Sequence, residues 1–387
     1  MEMILLSLCF TTLLAFSLLK KILDRTATSK ANLPPSPWRL PVIGNLHQLS
    51  LYPHRSLRSL SRRHGPLMLL HFGSVPVLIV SSAEVAHEVM KTHDLKFANR
   101  PIGKVTMNFL KGGRNLLLSP YGEYWRQMKS LCVLHLLSNK MVRSFEKLRE
   151  EELNMMMEKL EKASSSSSSV NLSETIFNMV NTVDIFIAGT TTTSTLLEWT
   201  MTELIRHPET MKKLQEDIRT HSRSGSYVTE EEIGNMKYLK AVIKETLRIH
   251  PPAPILIPRQ LSEDVKLKGY DIAAGTQVII NAWTIQRDSA TWGSDAEEFK
   301  PERHLDSALD FQGQNFMYIP FGSGRRQCPG IGFAMALAEV ALANLVNRFS
   351  WKVEARTVGD DDQYHLAEAF GVEVCRKFPL IAFPSSL

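Results

Sequence analysis

"FGSGRRQCPG", residues 321–330, decides how this chain is read. It is a glycine-rich loop that leads to Cys328, then Pro329, then a long apolar segment. Gly322 and Gly324 permit tight turns that can aim backbone N–H groups at one sulfur. A cysteine at a helix N-terminus is drawn toward thiolate by unpaired N–H groups and the helix dipole. Arg325 and Arg326 add positive charge beside it. A thiolate so placed suits a nucleophile, a structural thiol or a metal ligand. A nucleophile needs a base, and this stretch has no histidine. A buried inert thiol has no use for two arginines and three glycines. Haem iron is the metal that takes a single cysteine thiolate.

Outward from the loop, "GFAMALAEVALANLVNRF" is apolar almost all round, which predicts a buried helix. "YLKAVIKETLRIHP" predicts a helix ended by Pro251 and Pro252, with Glu245 and Arg248 one turn apart on one face. Pro301-Glu302-Arg303 follows in a loop-rich stretch over 285–327. "YWRQMK" places Trp125 and Lys129 one turn apart, with Arg126 pointing elsewhere. "FIAGTTTTSTLLEW", residues 186–199, has helical flanks but a run of four threonines, Thr190 to Thr193. Each β-branched residue loses χ1 freedom in a helix, so the run needs a reason. From Ser173 to Ile205 the pattern predicts one long helix with Gly189 as its weak point.

Other helices are predicted at 55–62, 83–92, 120–135 and 139–162. "LMLLHFG" and "VPVLIVSS" predict a strand pair with Gly73 near the turn. The serine run Ser164–Ser169 reads as a flexible linker, and short strands are predicted over 265–280 and near the C-terminus. The fold class is mainly α with a minor β part.

The chain has 387 residues, 44% hydrophobic and 22% charged, which is globular composition. A net charge of +5 is too small to argue for a nucleic-acid partner. Cys9, Cys132, Cys328 and Cys375 are too scattered for a disulfide framework, so reduced thiols and a cytosolic body are expected. Met3 to Leu19 carries no charge and is followed by Lys20, Lys21, Arg25 and Lys30. That predicts a membrane anchor over 1–23 with the body on the cytosolic side. Residues 24–50 form a basic, proline-rich hinge, in which Pro34, Pro35, Pro37 and Pro41 stiffen the connector. Residues 51–387 form the body that carries the Cys328 loop.

Phe321, Gly324, Arg326, Cys328 and Gly330 fit the signature F-x-x-G-x-R-x-C-x-G. In this the chain resembles the cytochrome P-450 superfamily, the haem-thiolate monooxygenases. The proline hinge, "PFGSGRRQCPG" and "SPYGEYWRQMKS" resemble plant microsomal A-type members. The resemblance implies a P-450 fold, haem b (iron protoporphyrin IX) and Cys328 as the metal ligand. It implies an E-x-x-R pair, Glu245 and Arg248, completed by Arg303 as a brace behind the haem loop. His304 stands where an aromatic residue is more usual. Trp125, Lys129, Arg259 and Arg326 are implied propionate contacts. "AGTTTT" matches the oxygen-binding helix motif: Ala188 and Gly189 leave room over the haem, and Gly189 is expected to let the helix bulge. Thr192 falls on the threonine that handles dioxygen, Thr193 on the next position, and Thr191 where an acid is expected.

The resemblance further implies a small apolar substrate, an NADPH-cytochrome reductase and the endoplasmic reticulum membrane as surroundings. Docking of the reductase is expected near Arg126, Lys129, Lys140 and Arg143. Pocket walls are expected from 101–118, 253–258 and the turn near Phe370. Between Trp125 and Ala188 the family would have on the order of a hundred residues more. The expected join lies near Val180–Val183, with the lid block missing near 180–184. The alternative expectation is a catalytically inactive or misfolded deletion product of that family.

Overall fold

The computed structural model describes residues 11–12, 15–16, 31–103, 115–183, 187–223, 227–353, 364–371 and 373–387. The predicted anchor lies almost wholly outside these residues, as does much of the predicted wall at 101–118.

The long helices, in chain order, are α1 (Pro53–His64), α2 (Glu123–Leu131), α3 (Glu146–Ser165), α4 (Leu172–Val183), α5 (Ile187–Arg206), α6 (Pro208–His221), α7 (Lys237–Ile249) and α8 (Ile331–Arg348). The strands are β1 (Leu67–Phe72), β2 (Val75–Val80), β3 (Val170–Asn171), β4 (Arg259–Gln260), β5 (Val265–Leu267), β6 (Tyr270–Ile272), β7 (Gln277–Ile280), β8 (Phe349–Val353), β9 (Glu368–Phe370), β10 (Val374–Arg376) and β11 (Ile381–Ser386).

Helix dominates, and it is built around α8. Leu337, Ala338, Val340, Ala341, Leu342, Leu345 and Val346 of α8 are buried, as an all-round apolar helix must be. Among the described residues α8 is also the helix long and apolar enough to cross a membrane, yet it sits in the core between α5, α6 and α7. Asn344, its buried polar residue, is satisfied by the Val228 backbone and the Val340 carbonyl.

A second core lies under a four-stranded sheet in the order β1-β2-β7-β4. β1 and β2 pair antiparallel across Gly73, the expected strand pair, and β2 pairs parallel with β7 from Val77↔Gln277 to Val80↔Ile280. That parallel pair ties the N-terminal strands to the segment just after α7. A three-stranded sheet, β3-β11-β8, closes the chain's end against α3.

Three expected elements differ. The single helix over Ser173–Ile205 is two helices, α4 and α5, packed on each other. Ser173 touches Glu198. In one continuous helix these residues would stand roughly 37 Å apart at 1.5 Å per residue. No proline or glycine marks the break in sequence; burial of Ile176, Met179, Val180 and Val183 against α5 favours folding back. The helix predicted over 139–162 breaks at Phe145, between Asn139–Ser144 and α3. The serine run is helical through Ser165, and Ser164 binds Ser386 at the chain's end. Cys132, Cys328 and Cys375 are free thiols, as expected.

Candidate haem-thiolate site

The loop before α8 has the shape its glycines predict. Gly322 and Gly324 have φ of 67° and 71°, where an L side chain is strained. A Cβ on Gly324 would run into the Met90 carbonyl oxygen and come 3.0 Å from Asp94 Oδ1. The Cys328 N–H donates to the Phe321 carbonyl at 3.1 Å, closing the loop. The half-buried Phe321 ring rests edge-on against Phe311 at 5.8 Å. Solvent reaches Cys328. Burial nevertheless pushes its thiol up, while the Gly330 N–H and the Lys129 ammonium pull it toward thiolate. Gly330 is the N-cap of α8, so the sulfur sits just ahead of the helix.

Three buried arginines surround this loop. Arg326 donates to the Ala98 carbonyl at 2.8 Å and the Ser119 carbonyl at 2.6 Å. Its guanidinium lies 4.1 Å over the Trp125 ring. Arg259 donates to the Ser323 carbonyl at 2.9 Å and pairs with Asp94 at 3.3 Å. Arg100, which the sequence reading missed, donates to the Ile257 and Pro258 carbonyls at 2.6 and 2.8 Å. Burial, then Arg259 and Arg326, push Arg100 down to about 9. Burial and Arg259 push Arg326 down to about 10. Among the described residues, the acid in ion-pair contact with this cluster is Asp94, through Arg259. Asp94 also accepts the Arg325 N–H at 3.0 Å, so it fastens the loop as well.

Among the described residues buried positive charge therefore exceeds negative charge here, and Arg326 Nη1 is buried without a hydrogen-bond partner. Such a donor calls for an anion. The carboxylates of a haem fit it, and the free thiol of Cys328 fits the iron. The expected propionate contacts are more varied than the motif suggested. Trp125 spends its indole N–H on the Leu116 carbonyl at 2.8 Å and presents its ring to Arg326. Lys129 donates to the Arg325 carbonyl, and burial followed by Arg326 lowers its pKa. Arg126 is exposed, pointing away as expected.

Behind the loop stands the brace. Glu245 is fully buried and accepts both Nε and Nη2 of Arg248 at 2.8 Å. It also accepts Arg303 Nε and the Lys300 N–H, each at 2.9 Å. Burial would raise its pKa, but Arg248 and His304 hold it down to about 2. His304 Nε2 lies 2.9 Å from Glu245 Oε2, so the unusual residue after Arg303 is a further member of the brace. The brace reaches the haem loop through Gln286. Arg248 Nη1 donates to the Gln286 carbonyl at 2.9 Å, and Gln286 Oε1 accepts the Ile319 N–H at 3.0 Å. The Ile319 carbonyl in turn accepts the Gly322 N–H at 2.9 Å.

The threonine run lies in α5, which packs on α8. Thr192 Oγ1 donates to the Ala188 carbonyl at 2.7 Å, and Ser194 Oγ to the Thr190 carbonyl at 2.9 Å. Back-bonding of this kind lets a helix carry such residues. Thr190 and Thr193 are buried, Thr191 and Thr192 half-buried, and Ala188 exposed. The bulge expected at Gly189 is absent: Ile187–Arg206 is α-helical throughout.

The family model for cytochrome P450 matches residues 34–183 and 179–367. The chain belongs to the cytochrome P450 family, the haem-thiolate monooxygenases, whose cofactor is haem b. It is 53% identical to cytochrome P450 71A14 of Arabidopsis thaliana, with 100% of each chain covered. It is 54% identical to the indoleacetaldoxime dehydratase of the same plant, again with 100% of each chain covered. The first of these alignments runs over 497 positions, whereas this chain has 387 residues. A zebra fish cytochrome P450 solved with abiraterone shares the fold, with a TM-score of 0.75 at 21% identity over 87% of this chain and 100% of that one.

Proposed function

We propose that this chain is a membrane-anchored member of the family that inserts one oxygen atom from O2 into a small apolar molecule, with Cys328 as the thiolate that would hold the haem iron. The observation that carries the assignment is the unpartnered Arg326 Nη1 in a buried arginine cluster beside the Cys328 loop. Bound haem supplies the redox chemistry and the activation of oxygen. The chain's own residues do the rest. The Gly330 N–H and Lys129 offset part of the burial that raises the Cys328 thiol. Arg100, Arg259 and Arg326 would hold the propionates, with the Trp125 ring lying against the Arg326 guanidinium. Glu245, Arg248, Arg303 and His304 keep the loop in register. Thr192 handles oxygen and its proton. Thr191 can pass on a hydrogen bond but lacks an acid pKa in the useful range.

The name of the indoleacetaldoxime dehydratase supports a small substrate with an apolar ring. Electrons come from an NADPH-cytochrome reductase. The exposed Arg126, Lys140 and Arg143, with Lys129, offer it a basic face. The uncharged run Met3–Leu19 and the basic residues after it favour a single-pass anchor in the endoplasmic reticulum with the body in the cytosol.

About 110 positions of the relative face no residue here, and the two stretches matched to the family meet at 179–183. We place the missing lid block there, between α4 and α5. Without it water reaches the distal side, and oxygen reduction uncouples from substrate oxidation. The test is reconstitution with the reductase, following NADPH consumption and peroxide together. An uncoupled enzyme returns most of the NADPH electrons as peroxide. No NADPH consumption above the reductase blank would favour the inactive-product reading.

A further inference from the structure

Between the helical turn Pro301–His304 and the Cys328 loop the chain runs without helix or strand, yet Gly313 in its middle is buried. Buried irregular backbone must find partners for its polar groups. Two side chains of the Cys328 loop supply them. Ser323, 4% exposed, donates its hydroxyl to the Gly313 carbonyl at 2.6 Å. Gln327 Nε2 donates to the Phe311 carbonyl at 3.2 Å. Gly313 has a φ of 72°. A Cβ on it would lie 2.9 Å from Gln327 Nε2, 3.0 Å from the Gly322 carbonyl oxygen and 3.1 Å from Ser323 Cα. The glycine is seated directly on the loop backbone, closer than a side chain allows.

The segment under the loop is itself fastened at both ends. Lys244 Nζ of α7 donates to the Leu309 carbonyl at 2.7 Å. Phe316 is buried, and its ring meets His87 edge-on at 4.9 Å. Ser323 is thereby held on two sides, its hydroxyl by Gly313 and its carbonyl by Arg259 Nη2 at 2.9 Å. A carbonyl stays aimed at Arg259 only while the peptide that carries it cannot turn. Gly322 and Gly324, on either side and both at positive φ, have no side chain to stop it. The Ser323 hydroxyl is the bond that does.

We propose that Ser323 is a positioning residue, whose bond to Gly313 fixes the loop peptides so that Arg259 and Cys328 act on one haem. This rests on the haem-site reading above. Gln327 is the second, weaker fastening of the same loop, since its bond to Phe311 is longer and only part-buried.

The test uses the full chain in Ser323→Ala, Gln327→Ala and Leu214→Ala, the last a core truncation in α6 that controls for lost stability. Haem dissociation, followed by transfer to apomyoglobin, should quicken about tenfold in Ser323→Ala and about threefold in Gln327→Ala, the first being the change expected when a buried carbonyl loses its donor. The thiolate-type share of the reduced, carbon-monoxide-bound spectrum should fall in both and hold in Leu214→Ala. Hydrogen exchange across 313–328 should speed up in haem-free Ser323→Ala with α1 unaffected, a readout that needs no haem. Unchanged exchange overturns the fastening. Faster exchange with dissociation altered by less than about twofold overturns the positioning role, while a thiolate-type band in the unmodified chain upholds the haem site. An equal loss of that band in Leu214→Ala leaves Ser323 a merely structural part and overturns the role as well. If Ser323→Ala does not fold, Gln327→Ala decides by the same readouts. No haem uptake by the unmodified chain sinks the haem-site reading and this proposal with it.

Discussion

Replacing Glu245 with alanine should cost this protein about 3–5 kcal/mol, the usual penalty for stranding one partner of a buried ion pair. Arg248 is fully buried with its charge matched by Glu245, and its other bonds go to the Gln286, Ala296 and Glu298 carbonyls. Carbonyl dipoles do not replace a carboxylate. Proton linkage gives the same size. The carboxyl falls from 4.5 to about 2 on folding, which corresponds to about 3 kcal/mol at 1.36 kcal/mol per unit. Because the folded pKa is depressed, that stability is fully present above pH 4.5. It is lost as pH falls from 4.5 toward 2. Against a total of about 5–15 kcal/mol for a native domain, the loss is a large fraction. Urea unfolding followed by tryptophan fluorescence measures it, in the unmodified chain, Glu245→Ala and the double variant Glu245→Ala/Arg248→Met. The double variant should recover part of the loss, since the stranded cation is gone. A single-variant cost below about 1 kcal/mol, the level of an exposed pair, would refute the buried-brace account.

Further outcomes follow from the same geometry. Gly324→Val should abolish haem uptake, read as absorbance at the Soret band per protein, because its φ of 71° and the Met90 carbonyl leave no room for a side chain. His304→Phe removes a bond to a charged group and should cost about 1.5–3 kcal/mol at pH 8. It should also flatten the acid limb of stability. Burial lowers the His304 pKa below 6.5, so the unfolded chain binds the extra proton and the unmodified protein loses stability as pH falls below 6.5. Urea midpoints from pH 8 to 5.5 check both parts. Thr191→Asp should restore little coupling, measured as peroxide per NADPH, if the open distal side dominates; substantial recovery would reverse that ranking.

The haem loop and the brace were legible because each is local. A glycine at positive φ and a cysteine ahead of a helix share one short window, and the E-x-x-R turn lies within another. Arg100 and Asp94 were not. Asp94 acts on Arg259 across 165 positions and on Arg325 across 231, and nothing in "HDLKFANR" announces either. Only the basic residue before Pro101 gave a hint. The α4–α5 break was invisible for a related reason. Helical periodicity runs on through Val183, and what ends the helix is the apolar face it buries by turning back. His304 looked like a departure in sequence; only its distance to Glu245 gives it a role.

The central claim is that Cys328 ligates haem iron from a loop held by the arginine cluster and the brace. The reduced, carbon-monoxide-bound Soret spectrum tests it most directly, in the unmodified chain and in Cys328→Ser. A thiolate-type band in the first, lost in the second while haem still binds, is the predicted result. Absence of that band in the unmodified chain, or its survival in Cys328→Ser, would contradict the account.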